Sequence, residues 1–294
     1  MKAPLPAVAG VGPSCQWLPA GPWKTVLDFF KERYPQIDVK TWTTRMAKGE
    51  VMDETGRRVH PQTIYRVGAC VFYYRELENE KVIPYVERVL YQDEHILVAD
   101  KPHFLPVIPS GRFLHQTLLV RLRKNHNQED LVPLHRLDRE TAGVVLFSVN
   151  PRTRGHYTSI FQNRKVTKIY EALAPALDTV RFPITRRSRI VRGEPFFRMK
   201  EVSGKANSET HIRPIRNLGR NTLYQLVPVT GRKHQLRLHL AALGIPIIHD
   251  RLYPAMRLSD DDDFSSPLKL LAKSLSFQDP LTGQQHYFES GTNL

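Results

Sequence analysis

Cys15 and Cys70 are the only two cysteines in the sequence. Far apart along the chain, they offer neither a disulfide framework nor a multi-cysteine metal site, and a reduced, cytoplasmic setting is expected. No apolar run approaches the roughly 18 to 20 residues that a membrane span needs, so no membrane partner is expected. Met1 to Pro22 is interrupted by Pro4, Pro6, Pro13, Pro19 and Pro22 where a signal peptide would carry an apolar core. His-Glu-x-x-His, Cys-x-x-Cys, the phosphate loop and the dinucleotide glycine pattern are all absent. Nothing therefore points to zinc, ATP or nicotinamide; no metal or other cofactor is expected, and any catalysis must rest on side chains. Acidic residues are in deficit as well: 29 Asp and Glu against 43 Lys and Arg leave a formal charge of +14. Such a field attracts polyanions and makes nucleic acid the first partner to consider, although a merely basic soluble enzyme would carry the same excess.

The 294 residues allow one large domain or two unequal ones. Residues 1–22, rich in proline and without apolar periodicity, read as a flexible arm. From Trp23, Val26, Leu27, Phe29 and Phe30 recur at helical spacing, and Tyr34-Pro35 ends that helix. A second amphipathic stretch, Val39 to Ala47, brings Trp42 and Met46 to one face and stops at Gly49; short turn-separated strands follow. Lys40, Arg45, Lys48, Arg57, Arg58 and Arg66 stud this segment, so 23–75 reads as a small α/β RNA-binding module or as a solvated basic face. Residues 76–85 read as a charged linker and 86–294 as the main domain.

In that domain strand-like runs dominate: Val86 to Leu90, Ile96 to Ala99, Val144 to Val149, Val166 to Ala174 and Thr222 to Val229. Helices expected at Thr117 to Lys124, Arg152 to Phe161 and Lys233 to Leu243 do not alternate regularly with them. This predicts an α+β fold on a mixed, mainly antiparallel sheet. Arg181 to Arg220 holds eleven Lys or Arg against three Asp or Glu, with Phe182, Phe196 and Phe197 interleaved, as a strand-loop surface against phosphates would. Asp260 to Asp263, beside Ser259, lacks calcium-loop spacing and reads as a solvated loop.

Chemistry concentrates in two segments. His135-Arg136-Leu137-Asp138-Arg139-Glu140-Thr141-Ala142-Gly143 precedes an apolar strand, and an Asp flanked by two arginines is expected to stay ionised, able to act as nucleophile or base. A loop ion pair would explain the same residues. Thr230-Gly231-Arg232-Lys233-His234-Gln235-Leu236-Arg237 opens a helix that Thr230 can cap and Gly244 can stop. Leu236, Leu240 and Leu243 share one face, His234 and Arg237 another, and Arg232 stands near the positive end of the helix dipole, where a phosphate would bind. Tyr170 shares a strand face with Ala172 and Ala174, which leaves room over its ring for a stacked base; a core tyrosine is the plainer alternative.

Taken in order, these motifs resemble the RluA-type pseudouridine synthases. His135-Arg136-Leu137-Asp138 with Thr141-Ala142-Gly143 resembles their active-site signature, and Ile96 to Pro102 the strand that opens the catalytic domain. Lys168-Ile169-Tyr170 resembles the family's tyrosine segment, Gly231 to Leu240 its helix, and Leu275-Ser276-Phe277 its closing motif. The resemblance spans about Val86 to Pro280, and Trp23 to Arg75 resembles the RNA-binding module often attached in front. Departures are Lys233 in place of a hydroxyl residue, Leu271 and Asp279 in place of histidines, and His103-Phe104 in place of a small residue and glycine.

The resemblance implies isomerisation of a uridine in ribosomal or transfer RNA without a cofactor. Asp138 would be nucleophile or essential base, acting on the ribose, the uracil ring or a ribose proton. Arg237 would pair with Asp138, and Tyr170 would stack on the uracil and assist the final proton removal. Arg136 would fill the gap left by the flipped base, Leu275 would line the uracil pocket, and Arg232, His234 and Gln235 would bind RNA. RNA is thus the expected partner, DNA is not, and a monomer is expected because nothing specifies an interface. Two other readings stand beside this one: a non-catalytic RNA-binding or ribosome-assembly factor, and a glycosidase using Asp138 with Glu140.

Overall fold

A computed structural model describes residues 3–77, 79–256 and 263–294; the acidic positions 260–262 lie outside the described residues. The chain forms two compact units, residues 1–80 with 111–115, and 81–110 with 116–294.

The first unit contains β1 (Ser14–Trp17), α1 (Val26–Arg33), α2 (Val39–Lys48), β2 (Val51–Asp53) and β3 (Cys70–Tyr73), its strands antiparallel in the order β1-β3-β2. Thr25 and Asp28 cap each other's backbone at the start of α1, and Gly49, at φ 75°, closes α2 in the left-handed conformation that glycine adopts without strain. Phe29, Phe30, Trp42 and Met46 meet Val51 and Val71 in one core. Two expectations are corrected here. Residues 1–22 are not a free arm, since Ser14–Trp17 pairs with β3 and Leu5, Val11 and Leu18 are buried. That pairing sets Trp17 opposite Cys70 and Cys15 opposite Phe72, so the cysteines lie on adjacent strands with Cα atoms 6.3 Å apart and are joined as a disulfide. Of the basic residues read as a surface, Arg45 is buried, with Glu76 at 2.7 Å and the Trp42 ring 5.3 Å from its guanidinium carbon.

The second unit runs β4 (Arg88–Gln92), β5 (Ile96–Lys101), α3 (Leu118–His126), β6 (Val132–Pro133), β7 (Ala142–Ser148), α4 (Arg154–Gln162), β8 (Val166–Pro175) and β9 (Ile184–Arg192). It continues with β10 (Met199–Val202), β11 (Ser208–Leu218), β12 (Asn221–Pro228), α5 (Gln235–Ala242), β13 (Leu270–Gln278) and β14 (Gln285–Glu289). One sheet takes the order β10-β9-β11-β12-β8-β13-β7-β5-β4, with β14 on β13 and β6 on β7. All its strand pairs are antiparallel except β7 with β13, which is the mixed, mainly antiparallel α+β sheet expected. Among the described residues no helix is long and apolar enough to cross a membrane.

Two clusters sit on this sheet. Ile96, Val98, Val144 and Leu146 pack with Tyr157 and Ile160 of α4, while Ala172, Tyr224 and Leu226 pack with Leu236 and Leu240 of α5. The leucine face of α5 is thus the one its periodicity predicted. The parallel junction of β7 and β13 depends on Gly143, whose φ is +116° and whose added Cβ would lie 2.2 Å from the Ala272 carbonyl oxygen. Strain and overlap therefore act together, and Gly143→Ala is expected to lose at least about 3 kcal/mol, lowering the thermal midpoint by about 6 to 12 °C in calorimetry.

Candidate active site

The motif around Asp138 occupies the wide loop between β6 and β7, and side chains hold it in shape. His135 prolongs the β6 ladder, its Nε2 accepting the Leu146 N–H at 3.1 Å, and its ring stacks on Phe161. Burial pushes the His135 pKa down to about 3, so this imidazole is a neutral structural group. The Thr141 N–H closes a turn on the Asp138 carbonyl at 3.1 Å. From β5, the buried Lys101 ammonium donates to the carbonyls of Pro102, Leu105 and Arg139 at 2.9, 2.7 and 3.1 Å. Burial pushes its pKa down to about 7, Asp138 and Glu140 oppose that, and three carbonyls match the three N–H bonds of the charged form. His103 Nδ1 donates to the Glu140 carbonyl at 2.6 Å. Its neighbour Phe104, at φ 65° where glycine is the easy residue, is buried against Tyr85 and Phe264, which accounts for the departing His103-Phe104 pair.

Asp138 emerges from this loop toward α5. Its carboxylate lies 3.6 Å from Arg237 Nη1 and 3.8 Å from His234 Nε2. Arg237 gathers two further acids: a two-pronged pair with Asp250, at 2.7 Å on both prongs, and Glu140 at 3.2 Å. Burial alone would lower the Arg237 pKa, but the Asp250 hydrogen bonds and the charges of Asp250, Glu140 and Asp138 raise it, and the guanidinium stays charged. The exposures of the three acids differ: 26% of the Asp138 side chain, 16% of Glu140 and 1% of Asp250. Only Asp138 combines the Arg237 contact with substantial access from outside.

Tyr170 stands across the sheet in the row Gly143, Ala272, Tyr170, on β7, β13 and β8. The two neighbours in that row carry little or no side chain, while Tyr170, partly buried, packs against the core cluster that contains Ala172 and Ala174. Burial, then the Asp138 charge, raise the Tyr170 pKa, so the phenol is neutral. Arg136 and Arg232 are exposed, the latter donating from Nε to the Asn207 carbonyl at 3.1 Å.

Three sequence expectations are corrected. His234 is buried rather than turned to phosphates; its Nδ1 lies 2.8 Å from the Tyr253 hydroxyl, whose oxygen also accepts the Met199 N–H. The tyrosine proton then goes to Nδ1, which leaves Nε2–H toward Asp138, and burial lowers the His234 pKa against the pull of Asp138. Gln235, also buried, has its whole amide engaged: Nε2 donates to the Glu209 carbonyl and Thr210 Oγ1, and Oε1 accepts from Thr230 Oγ1 and the Arg232 N–H. It fastens the helix entrance to β11, which is why α5 starts at Gln235, after a left-handed His234, and not at a Thr230 cap. Leu275, 2% exposed, belongs to the core cluster with Val144, Leu146 and Phe277 rather than to an open pocket wall.

Sequence reasoning missed Asp250 and Tyr253. The available signal was slight: Asp250 is the single acid in the apolar stretch Ile245 to Tyr253, thirteen residues beyond Arg237. His239 of α5 is buried among Thr210, Ser188 and Ser208 oxygens at 2.9 to 3.1 Å, and burial pushes its pKa down to about 4. A depressed base disfavours protons in the folded state, so stability falls as pH drops from 6.5 toward 4, by about 3 kcal/mol at pH 4. Urea midpoints against pH are expected to show this slope in the wild type and a shallower one in His239→Gln.

A mainly antiparallel α+β unit that holds a partly exposed carboxylate beside a buried arginine defines the class of protein by its fold and site. Comparisons with known proteins give the class its name. The family described as RNA pseudouridylate synthase matches residues 95–242. An uncharacterized RNA pseudouridine synthase from Synechocystis is 31% identical over 236 residues, covering 78% of this chain and 79% of that one. The dual-specificity RNA pseudouridine synthase RluA of Vibrio vulnificus is 32% identical over 222 residues, 70% of this chain and 82% of that one. The solved human RNA pseudouridylate synthase domain containing 1 shares the fold with a TM-score of 0.58 at 24% identity, covering 70% of this chain and 84% of that one. The chain belongs to the RNA pseudouridylate synthase family and is of the RluA type. It is an RNA pseudouridine synthase, an isomerase, and the family match favours catalysis over a purely RNA-binding role.

Proposed function

We propose that this enzyme isomerises specific uridines of ribosomal or transfer RNA as a monomer, with Asp138 as the group that acts on the substrate. The observation that carries the assignment is the exposure of Asp138 within the Arg237 cluster: Asp250 is enclosed and Glu140 is tied to Arg139 and Arg237. In the reaction the N1–C1′ bond breaks, the uracil turns, and a C5–C1′ bond forms; N1 gains a proton and C5 loses one, so no cofactor is consumed. Asp138 serves as nucleophile or base, and Arg237 and the Nε2–H of His234 orient its two oxygens. Tyr170, as a neutral phenol, supplies a stacking face for the uracil and is a poor proton acceptor.

The target base must leave its helix or loop, at a cost of a few kcal/mol in stacking and pairing. Arg136, exposed two residues before Asp138, fills the gap. Arg232 and the outward arginines of β9 and β11, among them Arg187, Arg189 and Arg213, hold phosphates. The test is pseudouridine mapping of ribosomal and transfer RNA from cells with and without the gene, complemented by wild type. Loss of a defined site, restored on complementation, is the expected result; an unchanged map in both RNA classes would overturn the substrate assignment.

A further inference from the structure

The segment Arg181 to Arg220 was singled out for three phenylalanines among basic residues, and the structure separates them. Phe182 packs against the core cluster beside Tyr224, ring centroids 5.6 Å apart. Phe196 stands at the tip of the β9–β10 hairpin and is 85% exposed, more than any other large apolar side chain among the described residues. Its setting is built. The Gly193 N–H bonds the Arg198 carbonyl at 3.0 Å and the Arg198 N–H bonds the Pro195 carbonyl at 2.8 Å, closing the tip into a defined turn. Phe197, half-buried, meets the Phe196 ring edge-on at 5.5 Å and braces it.

The hairpin is also fastened to the entrance of α5. Lys233 Nζ donates to the Phe197 carbonyl at 2.8 Å, and Lys233 adjoins His234 at the entrance of α5. At the base of the tip, Arg198 donates to the Pro254 carbonyl at 3.0 Å, and the Met199 N–H bonds Tyr253, the partner of His234. Phe196 is thus placed on a turn tied by two routes to the residues around Asp138. Arg192 and Lys200 are exposed on either side of it, and Glu194 is the one acid within residues 192–198.

An exposed, braced aromatic ring between outward cations matches an unpaired nucleobase, whose face stacks on the ring while its phosphates meet the cations. A protein partner reached through aromatic burial would instead call for a wider apolar surround. We propose that Phe196 is a stacking platform for an unpaired nucleobase flanking the target uridine, and that Lys233 fixes this platform relative to the active site. The inference rests on the RNA-modifying reading of Asp138 and names a substrate contact beyond it.

The test uses the full chain, a fluorescein-labelled RNA hairpin with an unpaired loop, and a blunt RNA duplex of equal length. Phe196→Ala is expected to weaken hairpin binding about tenfold while duplex binding stays within about twofold, and Phe196→Trp to restore it. On an RNA that the wild type modifies, the alanine variant is expected to raise KM with kcat retained. Equal losses on hairpin and duplex, hairpin affinity unchanged by alanine, or a wild type that does not distinguish the two RNAs would each overturn the platform. A wild type that shows the hairpin effect yet forms no pseudouridine in any cellular RNA would overturn the proposed function and leave the platform standing.

Discussion

Asp138→Asn is expected to fold as the wild type does and to form no pseudouridine. The amide fills the volume of the carboxylate but is neither a nucleophile nor a base, so the loss is at least about 10⁴-fold in kcat, as for removal of the central group of an active site. Stability is expected to change by less than about 1 kcal/mol, for two reasons that the geometry supplies. The contacts to Arg237 and His234, at 3.6 and 3.8 Å, are long for hydrogen bonds, and a quarter of the side chain meets solvent. The variant also removes one of three negative charges from a single guanidinium, easing repulsion among Asp138, Glu140 and Asp250. The measurement pairs quantitative pseudouridine mapping with calorimetry. Turnover by a folded asparagine variant would take Asp138 out of the chemistry, and a thermal midpoint lowered by more than about 5 °C would assign it a structural role.

The residues that do local work were the ones legible in the sequence. The leucine spacing of α5 gave its buried face, the alternation around Tyr170 gave its side of β8, and arginines flanking an Asp marked the loop that meets Arg237. Where the reading failed, long-range pairing decided the outcome. Cys15 meets Cys70 only because β1 adds to β3, and the prolines of residues 1–22 gave no sign of that strand. The resemblance implies RNA contacts for Gln235 and His234. Their partners, Glu209, Thr210 and Tyr253, lie 19 to 26 residues away and absorb them. Leu275 kept the motif's position, but the ladder of β13 with β8 and β14 turns it into the core. Asp250 carried no local pattern; its meaning comes from facing Arg237.

That pairing sets the second large effect. Arg237→Met leaves Asp250 enclosed without its cation and removes the guanidinium that Glu140 and Asp138 share. Breaking a buried pair from one side costs about 3 to 5 kcal/mol, because the remaining charge has neither water nor partner. Arg237→Lys keeps a charge but loses the fork that grips both Asp250 oxygens, so it is expected to fall between methionine and wild type. The double variant Arg237→Met with Asp250→Asn separates folding from catalysis. Its amide oxygen still accepts the Leu252 and Tyr253 N–H groups, which Asp250 Oδ1 binds at 2.8 and 3.0 Å, while the stranded charge is gone. About half of the lost stability is expected to return, with Asp138 still lacking its cation. Arg237 touches Asp138 and is placed as a positioning residue, so the folded double variant is expected to show kcat lowered about 100-fold or more with KM near the wild-type value. Calorimetry and steady-state kinetics on the three variants check this. Full activity in the double variant would mean that Arg237 serves only to neutralise Asp250, and a rise in KM alone would place its guanidinium on the RNA rather than on Asp138.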